Sequence, residues 1–136
     1  LGLARSGPRS IVARLAGLLL AVVSIGLVVS AIFPTDLVAS HRTQAGEIHT
    51  FSFLVNVAGI FLAAILLSVS FGSDARWRTY QRTAVILTSL IAIAFIVQFL
   101  TLHRGMPYGL ANRFFVAVLF AWFLATSIRL RTVAPT

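Results

Sequence analysis

Four runs of apolar residues, each long enough to cross a bilayer as a helix, leave this chain little choice of fold. A hydrocarbon core takes roughly 20 helical residues at about 1.5 Å each. Leu15–Phe33, Ile48–Phe71, Thr83–Leu102 and, after a polar first turn, Leu110–Ile128 all meet that length. The 136-residue chain is 59% hydrophobic and only 10% charged, with a mean hydropathy of +0.98. A soluble domain of this size has too little interior to hide so much apolar surface. Backbone polar groups in hydrocarbon must be bonded within the segment, so helices are the expected form. The fold class that follows is all-α: a polytopic transmembrane bundle of four antiparallel spans, forming one domain over residues 1–136.

Charge sets the expected orientation. A net charge of +8 in a soluble protein would suggest nucleic acid. Here the basic residues, all arginine, are confined to short segments flanking the spans, so they read as topology signals and no nucleic-acid partner is expected. A cytoplasmic amino terminus puts Arg5, Arg9, Arg14, Arg76, Arg78, Arg82, Arg129 and Arg131 inside. Only Arg42, Arg104 and Arg113 are then outside, as the positive-inside rule requires. Both termini are cytoplasmic in this arrangement, and the bacterial inner membrane is the expected location. Arginines also precede cleaved signal peptides, but the first run has about 19 apolar residues against the usual 7–15, so it reads as an uncleaved span. Cysteine is absent, which removes disulfides, thiolate catalysis and Cys-ligated metals. The chain begins on Leu, which leaves room for spans upstream.

Within the spans the polar residues are few. Ser24, Asn56 and Gln98 are expected to bond across helices, Asn56 and Gln98 facing the interior. No Asp, Glu, Lys or Arg lies near the middle of a span, so the usual parts of an ion or proton path are missing. Small residues recur four apart at Gly17 and Ala21, Gly26 and Ser30, Gly59 and Ala63, and along Ala117, Ala121 and Ala125. Such rows let helix backbones approach in lipid, either within one bundle or toward a partner helix. Gly59, Ala63 and the Ala117–Ala121–Ala125 row are the expected contacts with other membrane proteins.

Two polar connections remain. The inner one, "FGSDARWRTYQR" (residues 71–82), reads as an interfacial turn with Asp74 as a possible N-cap. Trp77 and Tyr80 are expected at headgroup depth, with Arg76, Arg78 and Arg82 contacting lipid headgroups. The outer face gathers His41, His49, His103, Asp36 and Glu47, together with Arg113. Asp36, His41, Glu47 and His49 carry metal-ligating atoms, but their spacing matches no usual ligand pattern, so no metal and no cofactor are expected. Nor does any catalytic motif surround Asp36 and His49. The expected roles are structural: Asp36 paired with an outer arginine such as Arg113, and His49 capping a helix end or bonding a loop carbonyl.

The chain resembles the DUF998 family of integral membrane proteins, whose function is unassigned. The resemblance rests on "FPTD" (33–36), "GEIH" (46–49), "RWRTYQR" (76–82) and "GLANRFFVAVLFAWFLATSIRLR" (109–131). It implies attention to Pro34, Asp36, Gly46, His49, Gly109, Arg113 and Trp122, and an earlier pair of spans ahead of these four. It implies no substrate. The expected function is therefore a small non-catalytic accessory or structural subunit, for instance of an energy-transducing complex, in contact with membrane lipids and larger membrane proteins. The alternative is a transporter or a lipid- or small-solute-binding protein working through the Asp36/His49 cluster.

Overall fold

Every backbone N–H and C=O that enters hydrocarbon needs a partner, and the computed structural model meets this with helices throughout; no strand occurs among the described residues. Those are residue 3 and residues 6–36, 41–101 and 107–134. Four helices follow one another: α1 (Ile11–Ile32), α2 (Gln44–Ser73), α3 (Arg78–Leu100) and α4 (Tyr108–Val133). All four are long and apolar enough to cross a membrane.

Each helix begins earlier than the apolar run that marks it, and at α1 and α2 a side-chain cap extends the first turn. Ser10 accepts the Ala13 N–H at the start of α1, and Thr43 does the same for Gly46 at the start of α2. Both leave fewer amides without partners in the first turn. The inner connection is also shorter than its sequence suggests. Only residues 74–77 form the turn, so Arg78 and Arg82 already belong to α3.

Close backbone approach follows chain order: α1 on α2, α2 on α3, and α3 on α4. Ser10 bonds Ser70 and Ser30 bonds Ser52, start to end, as in helices running in opposite directions. Ser68 with Thr88 and Gln98 with Asn112 repeat the pattern along the next two pairs. In lipid each such interhelical bond contributes on the order of 1 kcal/mol.

The α1–α2 contact is set by missing side chains. A Cβ on Gly59 would come within 2.6 Å of Val23 Cγ2, and one on Gly26 would fall on the Asn56 amide. Ala63, one turn beyond Gly59, is fully buried. Gly59 and Ala63, expected to face a partner protein, therefore form part of the internal packing. Gly17 has open space around it and Ala21 is exposed, so that pair lies away from the neighbouring helices. Ala117 and Ala121 are exposed too, but Ala125, expected on the same partner-facing row, packs against the core, and Ala111, Phe115, Trp122 and Thr126 form the buried row of α4.

Gly59→Val is expected to force α1 from α2 and cost about 1–3 kcal/mol, as overpacking does. Unfolding in mixed micelles measures the loss, and Val23→Ala in the same chain should recover part of it.

Candidate functional site

The outer turn begins with a proline that leaves a carbonyl without a donor. In a continuing helix the Ser30 carbonyl would accept from residue 34, but Pro34 has no N–H. His49, one turn into α2, supplies the missing bond: its Nδ1 lies 3.1 Å from the Ser30 oxygen and 2.8 Å from the Phe33 oxygen. Both partners are carbonyls, so Nδ1 carries the proton and donates. The expectation that His49 caps a helix end or bonds a carbonyl thus holds. "FPTD" creates the vacancy and "GEIH" fills it.

Asp36 closes the same turn from the other side. Its carboxylate accepts from the Thr43 N–H (2.9 Å) and the Thr43 hydroxyl (2.6 Å), while Thr43 Oγ1 accepts from the Gly46 N–H (3.0 Å). A Cβ at Gly46 would fall on that carboxylate, so glycine there makes room for it. The Thr43 hydroxyl and then the Thr43 amide hold Asp36 below the usual carboxylate range, against an opposing effect of burial, with the charge of Arg42 the least of these influences. The positive end of α2 favours the same charge.

Asp36 therefore pairs with Thr43 and not with Arg113. Arg113 stands exposed near the start of α4 and makes no ion pair among the described residues. Glu47 is exposed in the first turn of α2, and His41 is exposed just before it. His103 lies outside the described residues. Among the described residues no three of His, Asp and Glu converge.

Below the turn a short polar ladder descends between α1 and α2. Ser52 bonds Ser30 at 2.6 Å, and the Asn56 amide reaches Ser30 at 3.4 Å. Asn56 is buried, as expected for a bundle-facing amide. Gln98 is also buried, donating to Asn112 Oδ1 at 3.0 Å and Tyr108 Oη at 3.2 Å. Ser24, by contrast, turns outward and bonds back to the Leu20 carbonyl.

At the opposite end, the inner turn departs furthest from expectation. Trp77 is fully buried and stacks on Phe71 with ring centroids 4.6 Å apart, while Tyr80 meets Phe71 edge-on at 5.3 Å. Neither ring is placed to reach a headgroup. The indole Nε1 donates to the Ser6 carbonyl (3.1 Å), and the Tyr80 hydroxyl bonds that of Thr126 (3.0 Å).

Arg76 is consumed as well, pairing with Asp74 at 2.8 Å and donating to the Gly7 carbonyl at 3.2 Å. Those bonds from Arg76 lower the pKa of Asp74, to which the Arg9 backbone N–H adds. Asp74 holds the turn and does not cap α3, whose N-cap is Trp77. Arg129 of α4 donates to the Arg76 carbonyl and, at 3.1 Å, to Thr79. Only Arg78 and Arg82 of the expected headgroup-contacting set remain exposed.

Thr43, Ser52 and Thr126 escaped the sequence reading, while Ser30 was read only as a small packing residue and Arg129 only as a topology charge. Two signals were present for the outer turn, a proline four residues after Ser30 and a threonine immediately ahead of a helix.

Four span-length helices, with polar groups of the described turns bonded to one another, define a polytopic helical membrane protein. A family model described as "Protein of unknown function (DUF998)" matches residues 1–129, and the chain belongs to that family. No curated protein and no solved structure matches it. Of the positions the family resemblance emphasised, Pro34, Asp36, Gly46 and His49 make up the outer lock. Trp122 is buried edge-on against Phe123 at 5.2 Å. Gly109 is exposed with nothing near it.

Three outcomes follow. His49→Ala should cost about 1–3 kcal/mol by leaving a carbonyl unsatisfied, measured by unfolding in micelles. Trp77→Ala should cost about 3–5 kcal/mol, whereas Arg78→Ala should stay within about 0.5 kcal/mol. Asp36 and Asp74 have lowered pKa values, so their contribution to stability is complete above the ordinary value of 3.8 and lost as pH falls through the folded values below it. A pH series of unfolding should show this loss, smaller in the Asp36→Asn chain.

Proposed function

We propose that this protein is a non-catalytic accessory or structural subunit that packs against larger membrane proteins in a bacterial inner membrane, both termini in the cytoplasm. The observation that carries the reading is the outward face of α4. Phe114, Ala117, Ala121, Leu124 and Ile128 follow one another at steps of three or four residues, and all are exposed. Small residues at the middle of the stripe, flanked by large apolar ones, suit the close approach of another helix. The arginine distribution supports the orientation. Asp36 and His49, the outer residues best suited to ligand chemistry, spend their hydrogen bonds on the turn, which favours this reading over ligand handling there.

A photo-crosslinking residue at Ala117 or Ala121 tests the proposal. The expected result is an adduct of one defined size from both positions and none from Leu18 on the outward face of α1. Recovery of a solitary monomer without adducts, across several mild detergents, would contradict it.

A further inference from the structure

Two cavities lie end to end along α2 and α3, one of them closed in part by Phe115 of α4. One, of about 300 Å³, is lined by residues between Phe61 and Val69 of α2 and between Gln81 and Ala92 of α3. The other, of about 350 Å³, continues toward Leu54 and Ile96. Phe61 and Ala92 line both, so the two adjoin there and together trace a groove along α2 and α3. From Leu54 to Val69 the helix rises 15 steps, about 22 Å, which exceeds half of a hydrocarbon core about 30 Å thick.

The groove changes character along its length. Its far part is lined by Leu54, Ala58, Ile96 and other apolar side chains. Its near part adds Gln81, Ser89 and the Ser68–Thr88 pair, whose hydroxyls satisfy each other at 3.2 Å. Among the described residues the Gln81 side chain makes no hydrogen bond, and it sits over Gly72 at the mouth of the groove.

Charge lies at the same end. Arg78, Arg82, Val85, Ser89, Ala92 and Ile96 follow one another at steps of three or four, so the two arginines continue the groove's own stripe on α3. Both are exposed, and neither forms an ion pair among the described residues; Asp74, the acid of the adjoining turn, is taken by Arg76. An apolar channel open to the bilayer, an amide at its mouth and two available guanidinium groups beyond it complement a single kind of molecule.

We propose that this groove is a binding site for an anionic diacyl phospholipid. One acyl chain lies along the groove, the glycerol esters sit beside Gln81, and the phosphate is held by Arg78 and Arg82. Guanidinium suits this because its paired N–H groups match phosphate oxygens. The site stands apart from the accessory reading and survives its failure.

Native mass spectrometry of the full chain, exchanged against equal amounts of phosphatidylglycerol and phosphatidylcholine with the same acyl chains, tests it. Phosphatidylglycerol should be retained preferentially, by roughly fivefold for each arginine engaged. Arg78→Gln with Arg82→Gln should bring the ratio close to one while lipid is still retained. Ala92→Trp, at the point shared by the two cavities, should lower retention of both lipids, and Leu18→Trp on the outward face of α1 should change neither. Should Ala92→Trp aggregate, Ala58→Leu makes the same comparison farther along the groove. Equal retention of the two lipids by the unaltered chain, or an undiminished level in a monodisperse groove-filling variant, overturns the proposal. So does an equal loss from Leu18→Trp.

Discussion

A carbonyl oxygen left without a donor at a helix end is costly, and the turn between α1 and α2 is organised around one such group. Pro34 ends α1 by withholding the N–H that Ser30 would use, and His49 returns a donor from the neighbouring helix. That exchange brings the first turn of α2 against the last turn of α1. Once they meet, Asp36 can bond Thr43, Thr43 can cap α2, and Gly46 must lack a side chain for the carboxylate to fit. Ser30 and Ser52 then face each other one step deeper. The residues that look most reactive in the sequence thus act mainly on the backbone.

The inner turn solves a similar problem with aromatic surface. Phe71, Trp77 and Tyr80 cluster beneath the connection between α2 and α3, and their polar edges reach Ser6 and Thr126 at opposite ends of the chain. Arg76 and Arg129 add bonds to backbone carbonyls of the amino-terminal segment and of the turn itself. Stacking contributes about 1 kcal/mol beyond the area it buries. Bound on both sides, α2 and α3 form the middle of the structure, with α1 and α4 flanking them.

The spans were legible in the sequence because hydrophobic length responds to one variable, the thickness of the bilayer. The roles of Asp36 and His49 in the turn were partly legible, His49 as a cap, but the wider outer set does not converge among the described residues: His41, Glu47 and Arg113 stand exposed and apart. Asp36 was assigned the wrong partner because charge alone favours an arginine, whereas the fold brings Thr43 closer and offers two donors. Trp77 and Tyr80 were placed at the headgroups from their amphipathic character, but Phe71 gives them an apolar surface that only tertiary structure reveals. Gly59–Ala63 and Ala117–Ala121 share one spacing and fall on opposite kinds of surface, the first packed and the second open. Spacing reports that two residues share a helix face, and says nothing of what that face meets.

If α2 crosses the membrane, the Pro34–Asp36 turn and the Asp74–Trp77 turn lie on opposite sides of it. The chain has no cysteine, so Thr35→Cys and Ala75→Cys each introduce a single reactive thiol at an exposed position. With a membrane-impermeant maleimide, the Thr35→Cys chain should label in intact cells and the Ala75→Cys chain only after permeabilisation. Equal labelling of both chains in intact cells would contradict the account.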